Sequence, residues 1–283
     1  MNLIIGGTGT LGQELTKQLI KKNQAVTVFS RDELKQKEMQ HSINNKLVKF
    51  VVGDIKDRDS LNRVIRRERP TSVFHVAALK HVDILESNPE EAIKTNVIGT
   101  INVADACQEY GVKFCALSST DKAVEPINAY GASKMLAEKV FFNRNTVCPT
   151  DTKFSVFRWG NILGSRGSAI HGFVHSITNN ECVRLTHPEM TRFWLKIEDA
   201  VEFMLDGYKY AYLKNPMIPD CKSASVVEVC ESIARLCGTK VNFEVVGIRP
   251  GEKIHEKLSN DMCSDTYQKY TEQELDDLLK GVI

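Results

Sequence analysis

The chain lacks the features that would tie it to a membrane, a polyanion or an oxidising compartment. Its 37 Lys and Arg stand against 36 Asp and Glu, a formal charge of +1, so no excess of one sign recruits a nucleic acid or an acidic surface. No stretch approaches the roughly 18 apolar residues that a spanning helix needs. The start, Met1-Asn2-Leu3-Ile4-Ile5-Gly6-Gly7, has neither the basic opening nor the apolar run of a secretory signal. Eight cysteines, at 107, 115, 148, 182, 221, 230, 237 and 263, include no Cys-x-x-Cys pair. Cys107, Cys115, Cys230 and Cys237 fall inside apolar patterns, where a thiol packs as a small hydrophobe. His75, His81, His171, His175, His187 and His255 show no ligand spacing with acidic residues, so no metal site is expected. The expectation is a reduced cytoplasmic protein with no nucleic-acid and no membrane partner.

What is present is an average globular composition, 42% hydrophobic and 26% charged, over 283 residues. A chain of that size buries roughly three quarters of its unfolded surface. Short β-branched runs alternate with longer helical patterns through the first half. Strands are predicted at Leu3–Ile5, Ala25–Phe29, Leu47–Val52, Ser72–Val76, Val112–Leu117 and Phe154–Arg158. Helices are predicted at Leu11–Lys22, Asp59–Glu68, Pro89–Tyr110 and Ala129–Asn143. Strands apolar throughout and joined by helices imply a parallel sheet covered on both faces. The fold class is therefore α/β, a Rossmann-type doubly wound parallel sheet with a smaller C-terminal substrate lobe. No Ser-, Gly- or Pro-rich linker separates the halves. The division expected is 1–160 for the sheet domain and 161–283 for the lobe, with some later segments returning to the sheet domain and a cleft at the carboxyl ends of the strands. Helical patterns at Ile197–Tyr210 and Val226–Cys237 belong to this second half.

Gly6-Gly7-Thr8-Gly9-Thr10-Leu11-Gly12 follows the first strand and opens the first helix. Glycines there let backbone N–H groups approach a pyrophosphate, which the positive helix N-terminus attracts. The loop predicts a dinucleotide site. The second strand ends in Phe29-Ser30-Arg31-Asp32, with Lys35 one turn on. Ser30 does not repel a 2′-phosphate and Arg31 can bind one through its fork of donors, so NADP is favoured, although Asp32 could serve NAD. Asp54 and Ile55, after the third strand, suit an adenine edge. Ala77 and Ala78 pass close to the cofactor after the fourth. Asn96 is open between a site role and a buried structural one.

The strand Phe114–Leu117 runs into Ser118-Ser119-Thr120-Asp121-Lys122, and Tyr130-Gly131-Ala132-Ser133-Lys134 begins eight residues later. Tyr130 and Lys134 share one helix face. An ammonium beside a phenol lowers its pKa and makes it a usable base, and this role is expected of Lys134.

With these residues the chain resembles the extended short-chain dehydrogenase/reductases. More narrowly it resembles the inverting UDP-N-acetylglucosamine 4,6-dehydratases of pseudaminic acid biosynthesis. Ser30-Arg31-Asp32-Glu33-Leu34-Lys35, Ala77-Ala78-Leu79-Lys80-His81-Val82, Gly160-Asn161-Ile162-Leu163-Gly164-Ser165-Arg166, Met190-Thr191-Arg192-Phe193-Trp194 and Arg249-Pro250-Gly251-Glu252-Lys253 carry the likeness, which covers residues 1 to about 258. It implies a UDP-sugar substrate and a homo-oligomer, dimer or hexamer. It also implies roles: Tyr130 takes the 4-OH proton with Thr120 on the same oxygen, Lys122 is the base at C5, and Asp121 protonates the departing 6-OH. Arg249, Glu252, Lys80, Asn161 and Arg192 face the substrate. Two other readings are a nucleotide-sugar 4-epimerase and a non-catalytic NADP-binding protein. Asp121 and Lys122 have no task in the first, and the intact Thr120, Tyr130 and Lys134 argue against the second. Only 30 residues follow Lys253, a shorter tail than the resemblance leads one to expect. Trp159 stands where relatives commonly have Tyr.

Overall fold

The protein is described here by a computed structural model covering residues 1–147, 150–210 and 214–281. Cys148 lies outside the described residues. The chain forms two compact units, Met1–Arg158 with Val201–Ile218, and Trp159–Ala200 with Pro219–Ile283. Among the described residues, no helix is long and apolar enough to cross a membrane.

The first unit is a six-stranded parallel sheet of β1 (Asn2–Ile5), β2 (Val26–Ser30), β3 (Val48–Val52), β4 (Ser72–His75), β5 (Phe114–Ser118) and β6 (Lys153–Phe157), in the order β3-β2-β1-β4-β5-β6. The order matches the doubly wound dinucleotide fold. Burial explains which strands are central. Every residue of β1 and β2 is buried, as befits strands between two helical layers whose residues, Asn2 apart, are apolar or hydroxyl-bearing. In β3 an exposed Lys49 interrupts the apolar residues, as an edge strand allows.

The connecting helices are α1 (Thr10–Lys21), α2 (Glu33–Ile43), α3 (Arg58–Glu68), α4 (Val82–Ser87), α5 (Pro89–Ala92), α6 (Gly99–Glu109) and α7 (Ala129–Thr146). Side-chain caps set several starts: Asp32 accepts from Lys35 N, Asp57 from Asp59 N and Ser60 N, and Asn128 from Gly131 N. Left-handed Asn44 and Arg69 end α2 and α3. One core layer joins Leu61, Ile65, Val103, Cys107, Cys115, Phe141 and Phe154, with the Phe141 and Phe154 rings edge-to-face at 5.1 Å. The cysteines there pack as hydrophobes.

Two sequence expectations need correction. The single helix expected over Pro89–Tyr110 is α5, a π-helical segment Ile93–Ile98, then α6. The wider turn frees a side chain and a carbonyl at Asn96 for other partners. α2 was not foreseen, because Glu33–Ile43 buries only Gln36 and Met39 and shows almost no apolar stripe.

In the second unit, β7 (Asn161–Ile162), β9 (Thr191–Leu195) and β10 (Ser223–Ser225) form a small sheet. β8 (Val183–Leu185) pairs with β11 (Phe243–Val245), and β12 (Lys257–Ser259) with β13 (Met262–Cys263). Around them lie α8 (Ala169–Thr178), α10 (Val226–Leu236) and α11 (Glu272–Leu279), while α9 (Ile197–Asp206) runs across the boundary between units. Capping boxes, Ser225 with Glu228 and Thr271 with Glu274, start α10 and α11. Asp276 then joins the two helices through Ser232 and Arg235. Trp159 and Trp194 are both buried.

His75 closes β4 inside the first unit, 1% exposed. Its Nε2 lies 3.0 Å from Thr100 Oγ1, which itself donates to Asn96 O at 2.6 Å. The hydroxyl therefore accepts, the ring proton sits on Nε2, and buried Nδ1 has no partner among the described residues. Burial, then the Lys134 charge, pushes the imidazole down to about 3. Between that value and about 6.5, its value in the unfolded chain, the unfolded state holds more protons, so stability falls as pH drops through this window. In His75→Gln, which keeps a donor toward Thr100, the acid loss should be shallower by up to about 1.4 kcal/mol per pH unit. Urea midpoints measured between pH 6.5 and 4 test this, and an unchanged slope refutes it.

Candidate active site

β1 delivers the chain into Gly6, whose φ of +85° is left-handed and whose Cβ would lie 2.6 Å from Ala77 Cα. Only glycine fits where the first loop crosses the backbone after β4. Gly9 then starts α1 with no side-chain cap and no acidic residue in the first turn, in contrast to the Asp-capped α2 and α3. A cavity of about 250 Å³ opens beside this loop, lined among others by Gly6, Thr8, Gly9, Ser30, Arg31, Lys35, Asp54, Ile55, Ala77 and Ala78. The structure thus brings ten of the predicted cofactor residues around one space. Thr10, Leu11 and Gly12 belong to the first turn of α1, and Tyr130 and Lys134 to α7. A larger hollow of about 530 Å³, between α2 and the exposed side of β3, contains none of the predicted residues.

At the end of β2 the Asp32 carboxylate is already engaged. One oxygen accepts from Lys35 N at 3.0 Å and the other pairs with Lys35 Nζ at 2.9 Å, and these contacts hold its pKa below the usual range. Arg31 is exposed.

The second cluster sits where β5 meets the turn Asp121–Ala123. Thr120 caps that turn, and its hydroxyl donates to Asp121 Oδ1 at 2.9 Å. Lys122 Nζ reaches the same oxygen at 3.1 Å, while buried Oδ2 has no partner among the described residues. Asp121 is 1% exposed, so this is no solvated surface pair. Gly131, in the first turn of α7, lies against the Lys122 carbonyl so closely that a Cβ would collide with it. That contact brings Tyr130 to the turn. Burial pushes the Tyr130 phenol up to about 12, and the Lys122 charge and the Thr120 hydroxyl pull it down.

The Lys134 ammonium is buried, donates to Ser118 O at 2.6 Å and is pushed down to about 8 by burial. The charge that lowers the Tyr130 phenol is that of Lys122. Lys80, in the loop after β4, is exposed.

In the second unit, Asn161 is half-buried in β7 and Arg249 is exposed. Arg249 N donates to the Glu252 carboxylate at 3.5 Å. Arg192 is 7% exposed and directs its guanidinium at carbonyls of Thr191, Ile254 and Lys253, at 2.7, 2.8 and 2.9 Å. Its visible task is to hold the backbone that follows Arg249-Pro250-Gly251-Glu252.

Residues 2–275 match the family described as polysaccharide biosynthesis protein. The chain belongs to this family. Over 271 residues, 94% of its length, it is 40% identical to the UDP-N-acetylglucosamine 4,6-dehydratase (inverting) of Campylobacter jejuni, of which it covers 79%. It is 36% identical over 262 residues to the UDP-glucose 4-epimerase of Rickettsia bellii, covering 90% of this chain and 76% of that one. The solved structure of Pen from Bacillus thuringiensis superposes with a TM-score of 0.91 at 29% identity, over 99% of this chain and 97% of that one. The family member is thus an enzyme of the dehydratase/epimerase superfamily, as the motifs implied.

Three residues around this family site were missed or left open. Asn96 binds Leu79 N, Leu79 O and Ser133 Oγ, each at 2.9 Å. Glu138 accepts from Ser119 at 2.6 Å and from Arg158 at 3.1 and 2.5 Å. It lies four residues beyond Lys134, a spacing that could have flagged it. Gln36, in the polar α2, had no signal.

Gly131→Ala is expected to cost about 1–3 kcal/mol by overpacking against the Lys122 carbonyl. Gly172→Ala, in α8 with nothing within 4 Å, should be neutral or slightly stabilising. Chemical denaturation of the two variants compares them directly, and equal stabilities would rule out the close approach.

Proposed function

We propose that the chain is an NADP-dependent UDP-N-acetylglucosamine 4,6-dehydratase that inverts C5, a lyase yielding UDP-2-acetamido-2,6-dideoxy-β-L-arabino-hex-4-ulose. The observation that carries this reading is the ion pair of buried Asp121 with half-buried Lys122, beside Thr120 and Tyr130. Oxidation at C4 alone needs a base and a hydrogen-bonding partner. Loss of water across C5 and C6 needs a second base and an acid, and these two residues supply them. The identity to the Campylobacter jejuni dehydratase supports the same reading.

The glycine cradle and uncapped α1 N-terminus fit a dinucleotide pyrophosphate, and Ser30, Arg31 and Lys35 supply a hydroxyl and two cations that fit a 2′-phosphate, beside the Asp32 carboxylate that pairs with Lys35. Gly6, Thr8, Gly9, Thr10, Leu11 and Gly12 would hold the diphosphate, Asp54 and Ile55 the adenine, and Ala77, Ala78, Tyr130 and Lys134 the nicotinamide half. When bound, NADP⁺ supplies hydride acceptance at C4 and its return at C6. Tyr130 accepts the 4-OH proton, with Thr120 holding the oxygen. A proton passed from the Lys122 ammonium to the Asp121 carboxylate across their contact leaves Lys122 neutral, able to take the proton at C5, made acidic by the neighbouring ketone. Asp121, so protonated, gives that proton to the departing 6-hydroxyl, so one water leaves. A proton returned to the opposite face of C5 inverts that centre. Arg249 and Glu252 bind the nucleotide diphosphate and ribose, with Lys80 and Asn161 on the sugar. Arg192 enters this reading through the backbone it holds.

A nucleotide-sugar 4-epimerase is the second reading, favoured by the Rickettsia bellii relative. It needs Tyr130 and Thr120 but no acid at O6. Proton NMR of the protein with UDP-N-acetylglucosamine in D₂O separates the two. A new C6 methyl, deuterium at C5 and L-arabino couplings are expected, whereas UDP-N-acetylgalactosamine without a methyl would establish the epimerase. Asp121→Asn should slow methyl formation about 10²–10⁴-fold while deuterium still enters C5, and Lys122→Met should lose both signals. Methyl formation at the wild-type rate in either variant would remove that residue from the chemistry.

A further inference from the structure

Gln36 lies in α2, outside the proposed chemistry, with its side chain 5% exposed at the end of β2. Its Nε2 is 2.9 Å from Ser30 O, from Ser30 Oγ and from Val51 O. Two of these partners are carbonyls that only accept, so the amide nitrogen, not the oxygen, must face them. An amide nitrogen accepts nothing, so Ser30 Oγ is an acceptor as well. Its proton is therefore turned away from Gln36 and free to be donated elsewhere. Ser30 lines the 250 Å³ cavity together with Arg31, Asp32 and Lys35. The Asp32 carboxylate is engaged by Lys35 through both oxygens. Beside that ion pair the corner offers two further donors, the Ser30 hydroxyl and the Arg31 guanidinium. A ribose 2′-OH needs an acceptor to receive its proton, whereas a 2′-phosphate needs donors.

We infer that Gln36 is a specificity-determining positioning residue: by holding Ser30 Oγ as an acceptor, it aims the Ser30 proton at a 2′-phosphate and selects the phosphorylated dinucleotide. The inference rests on the NADP reading above. It goes further by placing part of the selection on a residue with no proposed contact to the ligand.

The test uses the full chain, stripped of bound nucleotide, and calorimetric titration with 2′,5′-ADP and 5′-AMP, which differ by the 2′-phosphate alone. Wild type should prefer 2′,5′-ADP. Gln36→Met removes the donor and should weaken 2′,5′-ADP about five- to tenfold while 5′-AMP changes by less than about twofold. Ser30→Ala should show a similar loss, and the double variant no further loss, because both changes remove one interaction. Gln36→Glu can only accept from Ser30, turns that proton inward, and should lose at least as much; it also carries the test if Gln36→Met does not fold. Equal weakening of both ligands, an unchanged ratio in the Gln36 variants, or additive losses with Ser30→Ala would overturn the inference while leaving a wild-type NADP preference standing. A wild type without that preference would overturn the NADP reading, and this inference with it.

Discussion

The side chain of Asn96 is the joint on which the first unit's site depends. It is buried, and it grips Leu79 through both the backbone N–H and C=O while donating to Ser133 in the second turn of α7. One amide therefore connects the loop after β4, which walls the cavity and continues to Lys80, with the helix that carries Tyr130. A buried amide with its hydrogen bonds made is rigid, because each broken bond would strand a polar group in a low-dielectric interior. The π-helical turn makes the grip available, since a regular α-helix over Pro89–Glu109 would rotate position 96 relative to its neighbours. Its carbonyl receives Thr100, which in turn orients His75, so a single polar chain runs from β4 to α7.

Charge around the second cluster is arranged in two tiers. The outer tier is Asp121, Lys122, Thr120 and Tyr130, where one carboxylate oxygen is shared by a hydroxyl and an ammonium and the other, buried, has no partner among the described residues. The inner tier is Lys134 on Ser118 O, then Glu138 held by Ser119 and Arg158. Both tiers are fixed by backbone: the Lys122 carbonyl seats Gly131, and the ends of β5 and β6 carry Ser118 and the residue next to Arg158. An ion pair such as Glu138–Arg158 is costly to desolvate, and it is held here by a hydroxyl and a bidentate contact. Its placement beneath Lys134 opposes the burial that lowers the lysine's pKa. A lysine near 8 and a phenol near 12 are separated from their ordinary values in opposite directions by one cause, loss of water.

Much of the first unit was legible in the sequence. The six strands stand within a residue or two of the predicted runs, because a strand buried on both faces must be apolar along its whole length. The glycine loop was legible because Gly6 has a left-handed φ and a backbone neighbour where a Cβ would be. α2 was not, since it buries a glutamine and a methionine rather than an apolar stripe, and it is started by an Asp cap that also reads as a turn. The short strands of the second unit escaped for a different reason: two or three residues are too few to show any period.

The sequence by itself determined the doubly wound order of elements, the phosphate-type loop and the presence of Thr, Asp, Lys, Tyr and Lys along β5 and α7. These follow from local spacing, which is all that periodicity and motif record. Only the tertiary structure decided which cation meets the phenol, what Arg192 holds and where the amides of Gln36 and Asn96 point. Each of those side chains is long or polar enough to reach several targets, and its partner lies on another element, from 6 residues away for Gln36 and Ser30 to 62 for Arg192 and Ile254. The choice among targets belongs to whichever carbonyl or carboxylate the fold carries to hydrogen-bond distance. Sequence spacing alone does not contain that distance.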